Sequence, residues 1–187
     1  FKQKTAYEIG VRLVGSEMCI RDRFEIMGFH NQKILSKLKK MKSFSQAQSI
    51  GCYYSIGSEV QTNDLIKALL SEKKIVSLPQ VFDDTMIFRR IEDVTKLEIG
   101  NFDIPEPKES CPIQETHDVI LVPCIGLDNN GNRIGYGYGF YDKYLSKNES
   151  TKIALTYSKQ IVKSIPNSEH DVKMDWIVTE TDVIKIS

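Results

Sequence analysis

The sequence predicts a single α/β domain built on a mostly parallel β-sheet that is covered on both faces. Three observations support this. The chain has 187 residues, which is enough for one domain of ordinary size. Segments with strand-like and helix-like patterns alternate along it, an order typical of parallel sheets. Residues 118–123 form a nearly unbroken apolar run, DVILVP, which indicates a strand buried on both sides.

The first half of the chain contains two predicted helices and three predicted strands. In residues 31–41, apolar side chains recur at helical spacing, with lysines on the opposite face. Thr62 is a candidate N-cap for the second helix, whose first turn contains Asp64. Pro79 suits the end of a strand that leaves a sheet. The predicted strands cover residues 49–55, 75–78 and 86–91.

The second half repeats the alternation around the buried run. A polar loop at residues 108–115 precedes the central strand, and a glycine-rich loop follows it. The remaining predicted elements are a helix over residues 140–147 and strands over residues 152–157 and 175–179.

Charge and hydropathy exclude two classes of partner. The chain has 25 basic and 25 acidic side chains with no clustered basic stripe, so we expect no nucleic acid partner. Its longest apolar run, residues 119–127, is interrupted by Pro123 and Gly126 and is far shorter than the roughly 20 residues that span a bilayer. We therefore expect no membrane partner. We also expect a monomer.

The four cysteines, Cys19, Cys52, Cys111 and Cys124, lie far apart in the sequence. They form no CxxC pair and have no histidine at the spacing of a metal site, so neither a zinc site nor a disulfide framework is predicted. We interpret them as reduced thiols of a cytoplasmic protein. Cys52 and Cys124 lie in apolar runs, where a buried thiol is expected.

The first 23 residues differ from the rest of the chain. They show no sustained helical or strand period and no apolar stretch typical of a secretory signal. The letters TAYEIGVRLVGSEMCIRDR resemble translated sequencing-adapter read-through. The alternative is a poorly ordered N-terminal arm. In both cases the predicted domain covers residues 24–187.

The segment with the strongest chemical signal is the loop at residues 122–145, VPCIGLDNNGNRIGYGYGFYDKYL. Four of the eleven glycines lie in one nine-residue stretch of this loop, residues 131–139. Because the loop leaves a buried strand and enters a helix, backbone N–H groups converge there on a possible phosphate site. Arg133 adds a charged fork for phosphate oxygens, and Asp142 can hold magnesium. The alternative is a glycine-rich hairpin with aromatic packing.

The segment DNNGNRIGYGYGFYDKYL resembles the signature of the 5-formyltetrahydrofolate cyclo-ligase family, D-x-x-G-x-R-[LI]-G-x-G-x-G-[YF]-Y-D. Weaker matches follow in family order: YYSIGSEVQT, IVSLP, FDIPEP and PNSEHDVKMDWIVTE. The resemblance implies a three-layer fold of the NagB/RpiA/CoA-transferase type. It also implies conversion of 5-formyltetrahydrofolate to 5,10-methenyltetrahydrofolate, with ATP as co-substrate and Mg²⁺ as cofactor.

The resemblance also implies the site residues. The catalytic residues are Arg133, Tyr141 and Asp142. The ATP-binding residues are Arg133, Ile134, Gly135, Tyr136, Gly137, Tyr138, Gly139, Phe140 and Tyr141. The folate-binding residues are Tyr54, Glu59, Phe102, Tyr136, Tyr138 and Phe140. The magnesium ligands are Asp142 and Asp175.

Some of these assignments have plain structural alternatives. Asp175 precedes a strand and can be an edge carboxylate, and Glu59 can be a solvated loop acid. Tyr136 and Tyr138 stand where some family members have basic residues. The family begins with a Lys/Arg helix that contacts ATP, and no basic pair in residues 1–30 matches it. The alternative function is therefore a non-catalytic folate- or nucleotide-binding module.

Overall fold

The computed structural model describes residues 17–186, which contain four α-helices: α1 (Glu17–Lys40), α2 (Lys42–Ser45), α3 (Asn63–Ser71) and α4 (Phe140–Leu145). Helix α1 begins 14 residues before the predicted helix, so the boundary predicted at residue 23 lies inside it. Residues 1–16 lie outside the described residues, and their interpretation as adapter read-through or a disordered arm stays a prediction.

The strands form one large and two small sheets. In chain order they are β1 (Ser49–Gly51), β2 (Ile75–Phe82), β3 (Thr85–Ile91), β4 (Leu97–Ile99), β5 (Pro105–Pro107), β6 (Val119–Val122), β7 (Gly126–Asp128), β8 (Arg133–Ile134), β9 (Thr151–Leu155), β10 (Ile161–Val162), β11 (Trp176–Val178) and β12 (Val183–Lys185). The large sheet has the order β12-β11-β9-β6-β1-β2-β3. Its five central strands are parallel, and an antiparallel strand closes each edge. The predicted mostly parallel sheet is therefore confirmed.

The central strand β6 is buried along its whole length, because its two faces contribute to two separate apolar clusters. Val119 and Leu121 pack in the cluster that includes residues of α1, α2 and α3. Ile120 and Val122 pack in the other cluster, with residues of α4 and of the small β10-β7-β8 sheet. The alternation follows from the two-residue period of a strand. It gives the three layers that the resemblance implied.

Three local predictions differ from the structure. Strand β1 ends at Gly51 instead of residue 55, because the following apolar residues turn into the core rather than continue the ladder. Pro79 lies inside β2, since that strand pairs only with β3 beyond Ser77 and a proline is tolerated there. Thr62 is the N-cap of α3, but its hydroxyl donates to the Tyr53 carbonyl (2.5 Å) and does not cap the helix.

The order of the strands creates a crevice at their carboxyl ends. From β1 the chain passes through α3 to β2 on one side, and from β6 it passes through α4 to β9 on the other side. The connections therefore leave β1 and β6 in opposite directions, which opens a ligand crevice in sheets of this type. The segments that leave these two strands carry the candidate site.

Candidate active site

Glu59 follows β1 in the chain, in the segment that enters the crevice, and only 6% of its surface is exposed. Its Oε2 atom accepts a hydrogen bond from the Ile56 N–H (2.8 Å), and the Tyr136 hydroxyl forms a second hydrogen bond to the carboxylate. Burial raises the pKa of Glu59, and the two hydrogen bonds partly oppose that rise. Glu59 is therefore a buried carboxylate and not a solvated loop acid.

Tyr136 is the partner of Glu59 across the crevice. Its ring remains more than half exposed, and burial of the hydroxyl beside Glu59 raises its pKa to about 12. Two predicted folate-binding residues that are distant in the sequence are thus in contact.

Tyr54 is half-buried and lines a different part of the surface. It borders an open groove of about 1220 Å³ between α1 and the β4–β5 hairpin. Other residues that line this groove include Asn31, Gln61, Leu97 and Tyr157.

Arg133 is the charged centre of the glycine-rich loop, and its side chain is only 7% exposed. Its Nη2 atom lies 2.9 Å from Asp142 Oδ2, and its guanidinium lies 5.6 Å from the centre of the Tyr141 ring. Although this ion pair is close, Arg133 Nε and Nη2 have no hydrogen-bond acceptor among the described residues. The buried Tyr141 hydroxyl also lacks a partner there. Buried donors without acceptors in the protein are rare and indicate a partner outside it, a polar ligand or a water molecule.

The glycines around Arg133 allow this arrangement. A Cβ atom at Gly135 would lie 3.0 Å from Arg133 Nη1, so a larger residue would crowd the guanidinium. Gly139 has φ +69° at the start of α4, a conformation that other residues rarely adopt. The predicted ATP-binding residues Ile134, Gly135, Gly137 and Gly139 thus form one loop that runs from Arg133 to Tyr141.

Asp128 fixes the turn that precedes Arg133, and no role was predicted for it from the sequence. Its carboxylate is fully buried and accepts hydrogen bonds from Asn130 N–H (3.0 Å), Asn132 N–H (3.0 Å), Asn132 Nδ2 (2.9 Å) and Ile165 N–H (2.9 Å). The letters DNNG are typical of a turn in which an Asp side chain accepts backbone N–H groups, so this role of Asp128 could have been predicted.

Three predicted folate-binding residues form an aromatic row beside the loop. The ring centres of Phe102 and Tyr138 are 4.9 Å apart, and the Tyr138 and Phe140 rings are stacked at 5.6 Å. Phe102 and Tyr138 are both more than half exposed. Phe102 has φ +62°, which is strained for a bulky side chain. The row is an exposed flat surface of the kind that stacks on a planar ligand.

The two predicted magnesium ligands are engaged by different groups. Asp142 Oδ1 accepts a hydrogen bond from Val172 N–H (3.1 Å), and Oδ2 pairs with Arg133. Asp175 Oδ2 accepts a hydrogen bond from Lys152 N–H (2.7 Å) at the amino end of β9 and lies 3.5 Å from Lys152 Nζ. No cluster of three or more His, Cys, Asp or Glu side chains is found in residues 17–186.

A buried histidine lies under α4. His117 Nε2 is 2.6 Å from the Ser77 hydroxyl, and its ring packs edge-on against Phe88. Burial lowers its pKa to about 4. His117 was not predicted as a site residue, and its contacts are with Ser77, Phe88 and Tyr144, which were not predicted as site residues either.

The remaining predictions concern the cysteines and membranes. Cys52, Cys111 and Cys124 are buried and unpaired, as predicted for Cys52 and Cys124. Burial raises the pKa of the Cys52 thiol to about 12 and that of Cys124 to about 11. Within the described part of the chain, no helix has both the length and the apolarity needed to span a bilayer.

Comparisons with known proteins give consistent matches in sequence and in fold. The model of the 5-formyltetrahydrofolate cyclo-ligase family matches residues 24–180. A 5-formyltetrahydrofolate cyclo-ligase of Haemophilus influenzae is 34% identical over 69% of this chain and 74% of its own. A probable 5-formyltetrahydrofolate cyclo-ligase of Caenorhabditis elegans is 29% identical over 82% of each chain. The solution structure of Aquifex aeolicus 5,10-methenyltetrahydrofolate synthetase superposes with a TM-score of 0.74 at 30% identity, covering 83% of this chain and 80% of that one.

Proposed function

The chain belongs to the 5-formyltetrahydrofolate cyclo-ligase family, and from that premise we propose that it closes 5-formyltetrahydrofolate to 5,10-methenyltetrahydrofolate at the expense of ATP, with Mg²⁺. The observation that carries the proposal is Arg133, a buried guanidinium with two N–H groups that lack acceptors, in a glycine-rich loop at the crevice. Phosphate oxygens are the acceptors that such a fork binds best.

In the proposed reaction, the γ-phosphoryl group of ATP passes to the formyl oxygen of the folate and ADP leaves. The neighbouring amine nitrogen then attacks the activated carbon and releases its proton to water, and the C–O bond breaks to release phosphate. This chemistry requires positioning and charge stabilisation more than a protein nucleophile. Arg133 and the backbone N–H groups of residues 134–141 would hold the phosphates, and the Tyr141 hydroxyl would donate to an oxygen among them.

The folate would lie on the other side of Arg133. Glu59 accepts hydrogen bonds and is already desolvated, so it suits the amino and ring N–H groups of a pterin. Phe102, Tyr138 and Phe140 supply a stacking surface. Tyr54 lines the groove between α1 and the β4–β5 hairpin and would contact another part of the folate there.

The residues present fit a magnesium ion that arrives with the nucleotide. Mg²⁺ in nucleotide sites is commonly held by one or two carboxylates together with substrate phosphates, and Asp142 supplies one carboxylate beside Arg133. When bound, the ion would neutralise charge on the phosphates. Asp175 stays a predicted ligand, and its contact with Lys152 N–H also gives it a structural role.

The test is the near-ultraviolet absorbance of the methenyl product when the protein is mixed with 5-formyltetrahydrofolate, ATP and Mg²⁺. We expect a rise that requires ATP and is lost in Asp142→Ala. Saturable folate binding without product at any ATP concentration would instead favour the non-catalytic module. An absorbance increase that is the same with and without ATP would contradict the proposal.

A further inference from the structure

The ion pair between Arg133 and Asp142 offsets the charge of the guanidinium that a phosphate would bind, although the Arg133 Nε and Nη2 donors have no acceptor among the described residues. Arg133 Nη2 and Asp142 Oδ2 are 2.9 Å apart, and the two side chains are only 7% and 22% exposed. A pair shielded in this way is screened less by salt than a surface pair. An incoming phosphate must therefore compete with a carboxylate that already neutralises the guanidinium.

Asp142 is held in place independently of Arg133. Its second oxygen, Oδ1, accepts a hydrogen bond from the backbone N–H of Val172. The carboxylate therefore cannot turn away freely when an anion approaches. An anion at Arg133 would meet a fixed negative charge next to its binding partner, and that charge repels it.

Asp142 can be reached by a cation from a pocket that Arg133 does not line. This pocket has a volume of about 530 Å³, and its walls include Asp142, Lys143, Glu169 and Asp171. A divalent cation at Asp142 would offset the charge of the carboxylate. The positive charge of the guanidinium would then act on phosphate oxygens without the opposing charge of Asp142.

We propose that Asp142 makes the site selective for the magnesium complex of ATP, because its carboxylate offsets the positive charge of Arg133 that metal-free ATP would need. This inference rests on the proposed function and adds a specificity-determining role to it. Its distinctive consequence is that removal of Asp142 improves binding of the wrong form of the nucleotide.

The test is the equilibrium affinity for ATP, measured by titration calorimetry in excess EDTA and in excess Mg²⁺. For the wild-type chain we expect tighter binding with Mg²⁺. For Asp142→Asn we expect metal-free ATP to bind about fivefold more tightly than to wild type, since the competing ion pair is gone. In this variant, the ratio of the ATP affinity with Mg²⁺ to the ATP affinity in EDTA should fall to near one. The asparagine retains an oxygen for Val172 N–H, so the fold should be kept.

Glu169→Gln is the matched control. It removes the same charge from the wall of the same pocket, and the Glu169 side chain pairs only with exposed His170 among the described residues. Its affinities should equal those of wild type within about twofold. An equal gain in both variants would mean that net charge is responsible, and it would overturn the inference.

A measurement on the wild-type chain alone supports the test. Inorganic tripolyphosphate, which has no base or sugar, should show the same preference for Mg²⁺ as ATP. Equal affinity in EDTA and in Mg²⁺, or no gain in Asp142→Asn, overturns the inference while the cyclo-ligase reaction can still be observed. Absence of nucleotide binding under both conditions removes the inference together with the proposed function.

Discussion

The Tyr136 hydroxyl donates a hydrogen bond to the Glu59 carboxylate, and this contact joins the segment after β1 to the glycine-rich loop after β6. The contact therefore brings a predicted folate-binding residue next to the predicted ATP-binding loop. Glu59 belongs to the predicted folate side, and Tyr136 lies three residues after Arg133 on the predicted ATP side. A substitution of Glu59 should change the affinity for the folate more than the affinity for ATP, because Arg133 is positioned by its ion pair with Asp142.

Glu59→Gln should lower kcat/KM for 5-formyltetrahydrofolate by about 10- to 100-fold, which is the loss of a hydrogen bond to a charged group. The same variant should unfold at a higher temperature. Burial raises the pKa of Glu59 in the folded state, so the ionised form reduces stability as the pH rises above the unfolded pKa of 4.5, and glutamine removes that cost. Initial rates and calorimetric melting at pH 7 measure the two effects.

Tyr136→Phe is the matched control for Glu59. It keeps the ring and removes only the hydroxyl hydrogen bond, so the loss of kcat/KM should be about tenfold or less. The affinity for ATP should change little in either variant. A loss of ATP binding equal to the loss of folate binding would contradict the assignment of Glu59 to the folate.

The backbone of Phe102 should be strained, and we expect this strain to be tolerated because the ring binds the folate. Phe102→Ala and Phe102→Gly both remove the ring from Tyr138, but only glycine relieves the φ of +62°. We expect the glycine variant to be more stable than the alanine variant by about 1 kcal/mol, whereas glycine usually destabilises relative to alanine. Urea unfolding measures this difference.

Both Phe102 variants should raise KM for the folate by a similar factor of about ten, the worth of one aromatic contact. KM for ATP should stay within about twofold of wild type. An alanine variant as stable as the glycine variant would show that residue 102 is unstrained. An unchanged folate KM would remove Phe102 from the binding surface.

His117 should make the fold sensitive to acid. Burial lowers its pKa from 6.5 to about 4, so the unfolded chain binds a proton that the folded chain excludes between these pH values. The free energy of unfolding should therefore be independent of His117 titration above pH 6.5. It should fall by up to about 3 kcal/mol as the pH drops to 4. His117→Gln, which does not titrate, should lack this part of the pH dependence. Parallel curves for the two proteins in urea unfolding at several pH values would refute the role of His117.

Much of the fold could be predicted because its signals are local. The apolar run of β6 predicts a strand covered on both faces, and the structure places it in the middle of the parallel strands. The extent of β1 could not be predicted, because residues 52–55 are apolar or small whether they continue a strand or line a crevice. Burial at Cys52 and Tyr53 reflects tertiary packing and not strand pairing.

The candidate site divides in the same way. Arg133, Tyr141 and Asp142 are close in the sequence, so one glycine-rich loop predicts them together. The contact between Glu59 and Tyr136 depends on the order of β1 and β6 in the sheet, which no local pattern contains. Asp128 is intermediate between these two cases. Three of its four hydrogen bonds come from Asn130 and Asn132 in the turn that the letters DNNG indicate, and only the fourth, from Ile165 N–H, depends on the tertiary fold.

Asp175 provides a test that separates a magnesium ligand from a structural carboxylate. Its Oδ2 atom accepts the Lys152 N–H at the amino end of β9, and Asp118 holds the Ser49 N–H at the amino end of β1 in the same way (2.9 Å). If both carboxylates are structural, Asp175→Asn and Asp118→Asn should each lower stability by about 1 kcal/mol, since a charged acceptor becomes neutral. The concentration of Mg²⁺ that gives half-maximal activity should stay unchanged in both. A tenfold rise in that concentration for Asp175→Asn alone would instead establish Asp175 as a magnesium ligand.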